Sequence, residues 1–213
     1  AVLANYENVP FEKGFGTIIA ERIADLIMML CIVVITLFVQ FDFIYDLLTK
    51  KFDLTKIILL FVGLFIAFYI FTSYIKKAKT GLGLKIKTFI TGLVEGVTSI
   101  LKMKKKWAFI FHTVFIWAMY VAMFWATVPA IEGLQVPLGG VLIGFIAGGF
   151  SIAATNGGIG LYPIAVAGAL ALFGVPEEPA TAFGWIMWTA QTVMVIVFGG
   201  LSFLVLPIYN KNK

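Results

Sequence analysis

The stretch TNGGIGLYP, Thr155–Pro163, separates two strongly apolar runs of the chain. It places three glycines, an asparagine and a proline within nine residues. Glycine adopts positive φ without steric penalty, and proline suits the first turn of a helix, where its missing amide hydrogen loses no partner. The stretch therefore predicts a sharp break between two helical segments.

The composition around this break is typical of an integral membrane protein. Of 213 residues, 61% are hydrophobic and 13% are charged, whereas about 25% are charged in an ordinary soluble domain. The net charge of +5 comes largely from lysines in one segment between apolar runs. This clustering favours a topology signal, so we expect no nucleic-acid partner. One cysteine and one histidine support neither a disulfide framework nor a metal cluster, and we expect no cofactor.

Hydropathy predicts an all-α, polytopic membrane protein with one transmembrane domain, residues 1–213. Crossing a hydrocarbon core about 30 Å thick takes about 20 helical residues. A further segment, 82–102, has apolar residues at helical spacing and a polar opposite face, which is typical of an amphipathic interfacial helix. Four stretches are long enough for full spans: Thr17–Gln40, Lys56–Ile75, Trp107–Val128 and Thr181–Leu206.

Lysines predict the orientation of these spans. Residues 76–106 contain lysines at nine positions and a single acid, Glu95. The positive-inside bias therefore puts this segment, including 82–102, in the cytoplasm. Alternation of the spans then puts Glu132 and Glu177 outside and the C-terminus in the cytoplasm.

The segment Leu138–Gly174 begins and ends outside in this topology. Its second apolar run, Leu161–Phe173, reaches only about 20 Å as a helix, which is short for a full crossing. We expect a re-entrant pair of half-helices with TNGGIG at its tip, and two short full crossings are the alternative. Because lipid cannot hydrogen-bond to irregular backbone, such a tip faces a cavity or a packed interior.

The broken helix is the first candidate site. A helix that starts inside the membrane presents unpaired amide hydrogens and a positive dipole end, which bind anions such as phosphate. The alternative is structural, with the glycines allowing tight packing and the asparagine capping one half-helix. Gln191 in the last span is a weaker candidate, because such a residue often bridges helices. The candidate residues here are Asn156, Gly157, Gly158, Gly160 and Gln191.

The second candidate site is a charged turn in the first span, formed by Glu21, Arg22 and Asp25. Glu21 and Asp25 share a helix face, and Arg22 is spaced to pair with Asp25. The apolar run that follows, Leu26–Val39, spans about 21 Å as a helix, so the charged turn lies at the edge of the core or beyond it. Charges there usually face a bundle interior or an aqueous cavity. The alternative is an interfacial anchor with its acids in the first turns of a helix.

Other patterns carry less weight. Four tryptophans, including Trp188, are typical of the belt at a membrane interface. The chain has no Gly-rich phosphate loop with its lysine and no nucleophile elbow. We therefore expect no enzymatic activity.

These features together resemble a known family. The turn Glu21-Arg22-x-x-Asp25, a basic amphipathic linker and Asn156-Gly157-Gly158-Ile159-Gly160 before the helix Ala169–Val175 resemble the lysylphosphatidylglycerol synthase transmembrane-region family. That family includes the membrane half of multiple peptide resistance factor proteins. The resemblance covers nearly the whole chain and about the last two thirds of a family member, so we expect the first few membrane helices to precede Ala1.

The resemblance implies a flippase-like protein of the bacterial inner (plasma) membrane. Such a protein binds phospholipid or a lipid-linked anionic substrate and moves it between leaflets, so the lipid is the expected partner. A non-transporting membrane scaffold or lipid-binding protein is the alternative, and a homo-oligomer is left open. Family members that synthesise aminoacyl-lipid carry a soluble transferase domain after the membrane part. Because this chain ends at Lys213, the resemblance implies no synthase activity.

Two positions depart from the family pattern. Pro163 stands where a glutamate is common shortly after the glycine turn. The last span reads Trp188-Thr189-Ala190-Gln191 where family members often have an arginine. We therefore do not expect substrate and mechanism to carry over unchanged.

Overall fold

The computed structural model describes residues 11–51 and 100–210, together with scattered helical positions between 55 and 98. The described residues form helices and connecting turns without a strand, which confirms the all-α fold. We number the helices within the two continuous ranges in chain order. They are α1 (Phe11–Val39), α2 (Phe41–Lys51), α3 (Lys106–Thr127), a 3-10 turn (Val128–Ala130), α4 (Leu138–Ala154), α5 (Leu161–Ala171) and α6 (Glu177–Tyr209).

Three described helices are long and apolar enough to cross a membrane: Thr17–Val39, Lys106–Ala130 and Glu177–Tyr209. They correspond to the first, third and fourth spans predicted from hydropathy. The second predicted span, Lys56–Ile75, and the amphipathic segment 82–102 lie outside the described residues, apart from isolated positions.

The helices extend beyond the apolar stretches that predicted them. Helix α1 begins at Phe11, before the predicted start at Thr17, and α6 begins at Glu177 with two acids in its first turn. Hydropathy marks the part of a helix that contacts lipid, whereas polar residues continue the same helix outside it. The extension of α1 puts Glu21 well inside the helix, so the alternative that placed the acids in the first turns of a helix is wrong.

Helices α4 and α5 form an antiparallel hairpin around a stripe of glycines. Gly140, Gly144 and Gly148 recur every fourth residue of α4. Gly148 lies against the ring of Tyr162 near the start of α5, and Gly140 lies against Phe173 just beyond its end. Small residues at this spacing let two membrane helices approach closely, which explains the tight hairpin.

The core lies where this hairpin meets α3 and α6. Phe124 of α3 and Phe183 of α6 are fully buried, with ring centroids 4.9 Å apart in an edge-to-face arrangement. Gly184 of α6 sits against the backbone of Pro163, where an added Cβ would lie 2.7 Å from the Pro163 Cα. This close approach leaves no room for any side chain at Gly184.

Helix α1 packs antiparallel to α4. Gly149, near the end of α4, lies against the Met29 methyl group, and Gly139, near its start, lies against the Gln40 side chain. The start of α1 is therefore at the same end of the bundle as the turn that joins α4 to α5.

Candidate functional site

The turn between α4 and α5 is built by glycines in the left-handed region. Gly157, Gly158 and Gly160 have φ values of 76°, 77° and 73°. The Gly158 carbonyl accepts a hydrogen bond of 2.9 Å from the amide of Tyr162, in the first turn of α5. Because other residues rarely adopt this backbone conformation, the sharp break predicted from TNGGIG depends on its glycines.

Asn156 caps neither helix. Helix α4 ends at Ala154, and the next residue, Thr155, donates from both its backbone amide and its hydroxyl to the Ser151 carbonyl, at 3.1 and 2.7 Å. Helix α5 begins after Gly160 without a side-chain capping bond. The interpretation that Asn156 is a capping residue is therefore wrong, since its side chain is exposed beside the turn instead.

A cavity of about 350 Å³ lies between this turn and α6. The indole Nε1 of Trp188 donates a hydrogen bond of 2.9 Å to the Gly157 carbonyl and so ties the turn to α6. One face of α6 forms the opposite wall, at successive helical turns. The lining residues are Ile152, Asn156, Gly157, Ile159, Trp188, Gln191, Thr192, Val195 and Ile196.

Three of the predicted site residues thus share one cavity: Asn156, Gly157 and Gln191. Gly158 is buried behind the turn, where an added Cβ would lie 3.1 Å from the Tyr162 Cβ. Gly160 lies at the start of α5 and does not line the cavity.

The charged turn of α1 is organised by a tryptophan that sequence reasoning missed. Arg22 Nη1 lies 3.3 Å from Asp25 Oδ2 in an ion pair. The indole Nε1 of Trp117, in α3, donates a hydrogen bond of 3.2 Å to the other carboxylate oxygen of Asp25. The Arg22 side chain remains 76% exposed, and Glu21 is exposed as well. Asp25 therefore joins α1 to α3, while the guanidinium of Arg22 is left accessible.

Both clusters involve helices that are long and apolar enough to cross a membrane. Trp117 is about three helical turns, roughly 17 Å, from Lys106 at the start of α3. Trp188 is likewise about three turns, roughly 17 Å, from Glu177 at the start of α6. Arg22 and Asp25 lie only five and eight residues after Thr17, where the apolar span of α1 begins, so the charged turn belongs to the first part of that span.

The two clusters lie near the same end of α4, but they do not share the cavity. Met29, which contacts Gly149, is one helical turn after Asp25, so the antiparallel register puts Asp25 level with the last turn of α4. Among the described residues that line the cavity there is none from the charged turn. In the described ranges, no group of three or more His, Cys, Asp or Glu side chains is placed to hold a metal ion.

Comparison with known proteins identifies the family. A family model described as lysylphosphatidylglycerol synthase TM region matches residues 1–200. No curated protein and no solved structure matches the chain. The family match covers nearly the whole sequence, and three of the described helices are long and apolar enough to cross a membrane. The chain therefore belongs to the lysylphosphatidylglycerol synthase TM region family and is a multi-pass membrane protein.

Proposed function

We propose that this protein binds a phospholipid or a lipid-linked anionic substrate and moves it between the leaflets of a bacterial plasma membrane, without covalent change to the lipid. The observation that carries the proposal is the guanidinium of Arg22, which lies within an apolar span and stays 76% exposed although it pairs with Asp25. Charged side chains within membrane spans are rare and usually face a bundle interior or a water-filled cavity.

The hydrogen bonds of Arg22 leave room for such an anion. A guanidinium carries five N–H donors, and within the described part of the protein Arg22 makes one hydrogen bond, to Asp25. Trp117 fixes the Asp25 carboxylate and thereby holds the Arg22 side chain in place. Phosphate oxygens match the planar fork of arginine, which supports an anionic headgroup as the ligand.

The glycine turn offers the second polar feature of the proposed path, near the same end of α4 as the charged turn. Irregular backbone inside a membrane is stable only where protein or water surrounds it, and the cavity beside Gly157 meets this condition. The positive-inside bias of Lys104–Lys106 favours a cytoplasmic start for α3 and a cytoplasmic C-terminus.

One observation favours a second candidate function, a non-transporting scaffold. Both carboxylate oxygens of Asp25 have partners, Arg22 and Trp117, and these contacts link α1 to α3. In a scaffold the charged turn serves helix packing alone, and no lipid moves.

The test is leaflet-to-leaflet movement of labelled phosphatidylglycerol in liposomes that contain the full-length protein. We expect Arg22→Ala to slow movement at least about tenfold, which corresponds to about 1.4 kcal/mol of lost interaction with the moving lipid. Lys50→Ala is the matched control, because it removes an equally exposed cation from the ion pair Lys50–Asp46. We expect this control to stay within about twofold of wild type, since exposed pairs contribute little.

Two results would contradict the proposal. If labelled lipid moved at the same rate in wild type and in Arg22→Ala, the charged turn would not lie on the transport path. No movement of anionic lipid by folded wild-type protein, together with lower thermal stability of Arg22→Ala, would establish the scaffold instead.

A further inference from the structure

We propose that the cavity beside the glycine turn binds the uncharged ester region and adjoining acyl chain of a glycerolipid, and not its charged headgroup. This inference rests on the proposed function and assigns to the cavity a different part of the lipid from the part that Arg22 contacts. Three observations carry it: the charge of the lining, the state of two side-chain amides, and the size and opening of the cavity.

The first observation is the neutral lining. Of the residues that the structure describes, those around the cavity carry no charge, and the cation at Arg22 lies outside it. A phosphate moved into an uncharged site inside a membrane would lose its hydration without gaining a counter-ion, which is strongly unfavourable. An uncharged part of a lipid meets no such penalty.

The second observation is a pair of free amides. Within the described part of the protein, the side chains of Asn156 and Gln191 make no hydrogen bond to another residue. Each amide offers two N–H donors, and a donor that faces lipid without a partner is unfavourable. Ester carbonyl oxygens are hydrogen-bond acceptors, and a glycerolipid carries them next to its acyl chains. The two amides are therefore suited to the ester region of such a lipid.

The third observation is size and access. A volume of about 350 Å³ is at the lower end of the range of roughly 300–1,000 Å³ for small-molecule sites, so only part of a lipid enters. Val195 and Ile196 line the cavity and are 62% and 67% exposed, so the apolar face of α6 continues outward from the cavity. An acyl chain can follow this face while its ester group reaches Gln191.

Photolabelling tests the inference without requiring transport. The probe is a diacylglycerol with a diazirine in one acyl chain, added to the full-length protein in nanodiscs, and the readout is the label on residues 188–196. Gln191→Met and Asn156→Leu each remove one amide. We expect each variant to lower the label about fivefold, as for the loss of one net hydrogen bond. Thr189→Leu is the matched control, because Thr189 is an exposed polar residue of α6 outside the cavity.

Comparison of lipids and variants decides between the possible ligands. We expect the ether analogue, a dialkylglycerol without carbonyl groups, to label about fivefold less than the ester. We expect Arg22→Ala to leave the diacylglycerol label within twofold of wild type, so failure of the transport proposal would not affect this result. Equal labelling by ester and ether would overturn the inference. Stronger labelling by phosphatidylglycerol that Arg22→Ala abolishes would overturn it as well, because the cavity would then bind the headgroup.

Discussion

The two halves of α6 are both strongly apolar but have opposite surroundings. The first half buries Ala180, Phe183, Gly184 and Met187 at helical spacing against the rest of the bundle. From Val193 onward the second half is largely exposed, with Phe198 and Leu204 at 65% and 71%. Hydropathy does not distinguish the halves, because lipid chains solvate apolar side chains as well as a neighbouring helix does.

Glycines account for the difference better than apolar residues do. In the packed half, Gly184 meets the Pro163 backbone, whereas for Gly199 and Gly200 in the other half no atom of the described residues lies within 4 Å of an added Cβ. In a membrane, association between helices depends on close packing more than on apolar character. Glycine therefore brings helices together at one point of α6 and meets none of the described residues slightly more than four turns later.

The largest expected effect on stability comes from adding a side chain at Gly184, where α6 approaches the backbone of Pro163 most closely. Gly184→Ala would place a methyl group 2.7 Å from the Pro163 Cα, and backbone has little freedom to move away. We expect the free energy of unfolding in mixed micelles to fall by at least about 2 kcal/mol. The control Gly199→Ala, in the same helix, should change it by less than about 1 kcal/mol, and towards higher stability, because alanine favours helix. Equal effects of the two substitutions would contradict the packing difference between the halves.

A smaller effect is expected where the turn approaches the packed half. Gly158→Ala combines an unfavourable φ of +77° with a Cβ that would lie 3.1 Å from Tyr162 and 3.2 Å from Ile152. We expect the unfavourable backbone conformation to lower the free energy of unfolding by about 1–2 kcal/mol, and the crowding to lower it further. Gly157→Ala has a similar φ but open space around the added Cβ, so it isolates the backbone contribution. Thermal unfolding of both variants would give the cost of crowding at Gly158 as the difference between their stabilities. A Gly157→Ala variant less stable than Gly158→Ala would contradict this prediction.

The smallest effect on stability is expected at Trp188, between the packed and the exposed half of α6. Trp188→Phe keeps an aromatic ring but removes the hydrogen bond to the Gly157 carbonyl. We expect the free energy of unfolding to fall by about 1 kcal/mol, which is the net contribution of one hydrogen bond. Trp125→Phe is the control, because Trp125 is 62% exposed on α3 and makes no hydrogen bond to other described residues through its side chain. Proteolysis of the turn at Gly157 should accelerate in Trp188→Phe alone, and an unchanged rate would show that the bond does not hold the turn.

Local patterns in the sequence predicted the helices and the break between α4 and α5. Three spans follow from the length of their apolar runs, and the turn follows from the glycines at Gly157, Gly158 and Gly160. These predictions succeeded because membrane solvation and backbone conformation act within a few residues along the chain. The helix ends at Phe11 and Glu177 were missed, since polar turns extend a helix beyond its apolar part.

The sequence by itself determined that this protein is an all-α membrane protein, which side chains are charged, and where its hairpin turns. Only the tertiary structure decided which of these residues meet. Trp117 reaches Asp25 across 92 residues and Trp188 reaches Gly157 across 31. It also separated the charged turn from the cavity that Asn156, Gly157 and Gln191 share. The physical reason is that the axial register and rotation of packed helices depend on close contacts such as Gly184 with Pro163, and distance along the chain does not encode them.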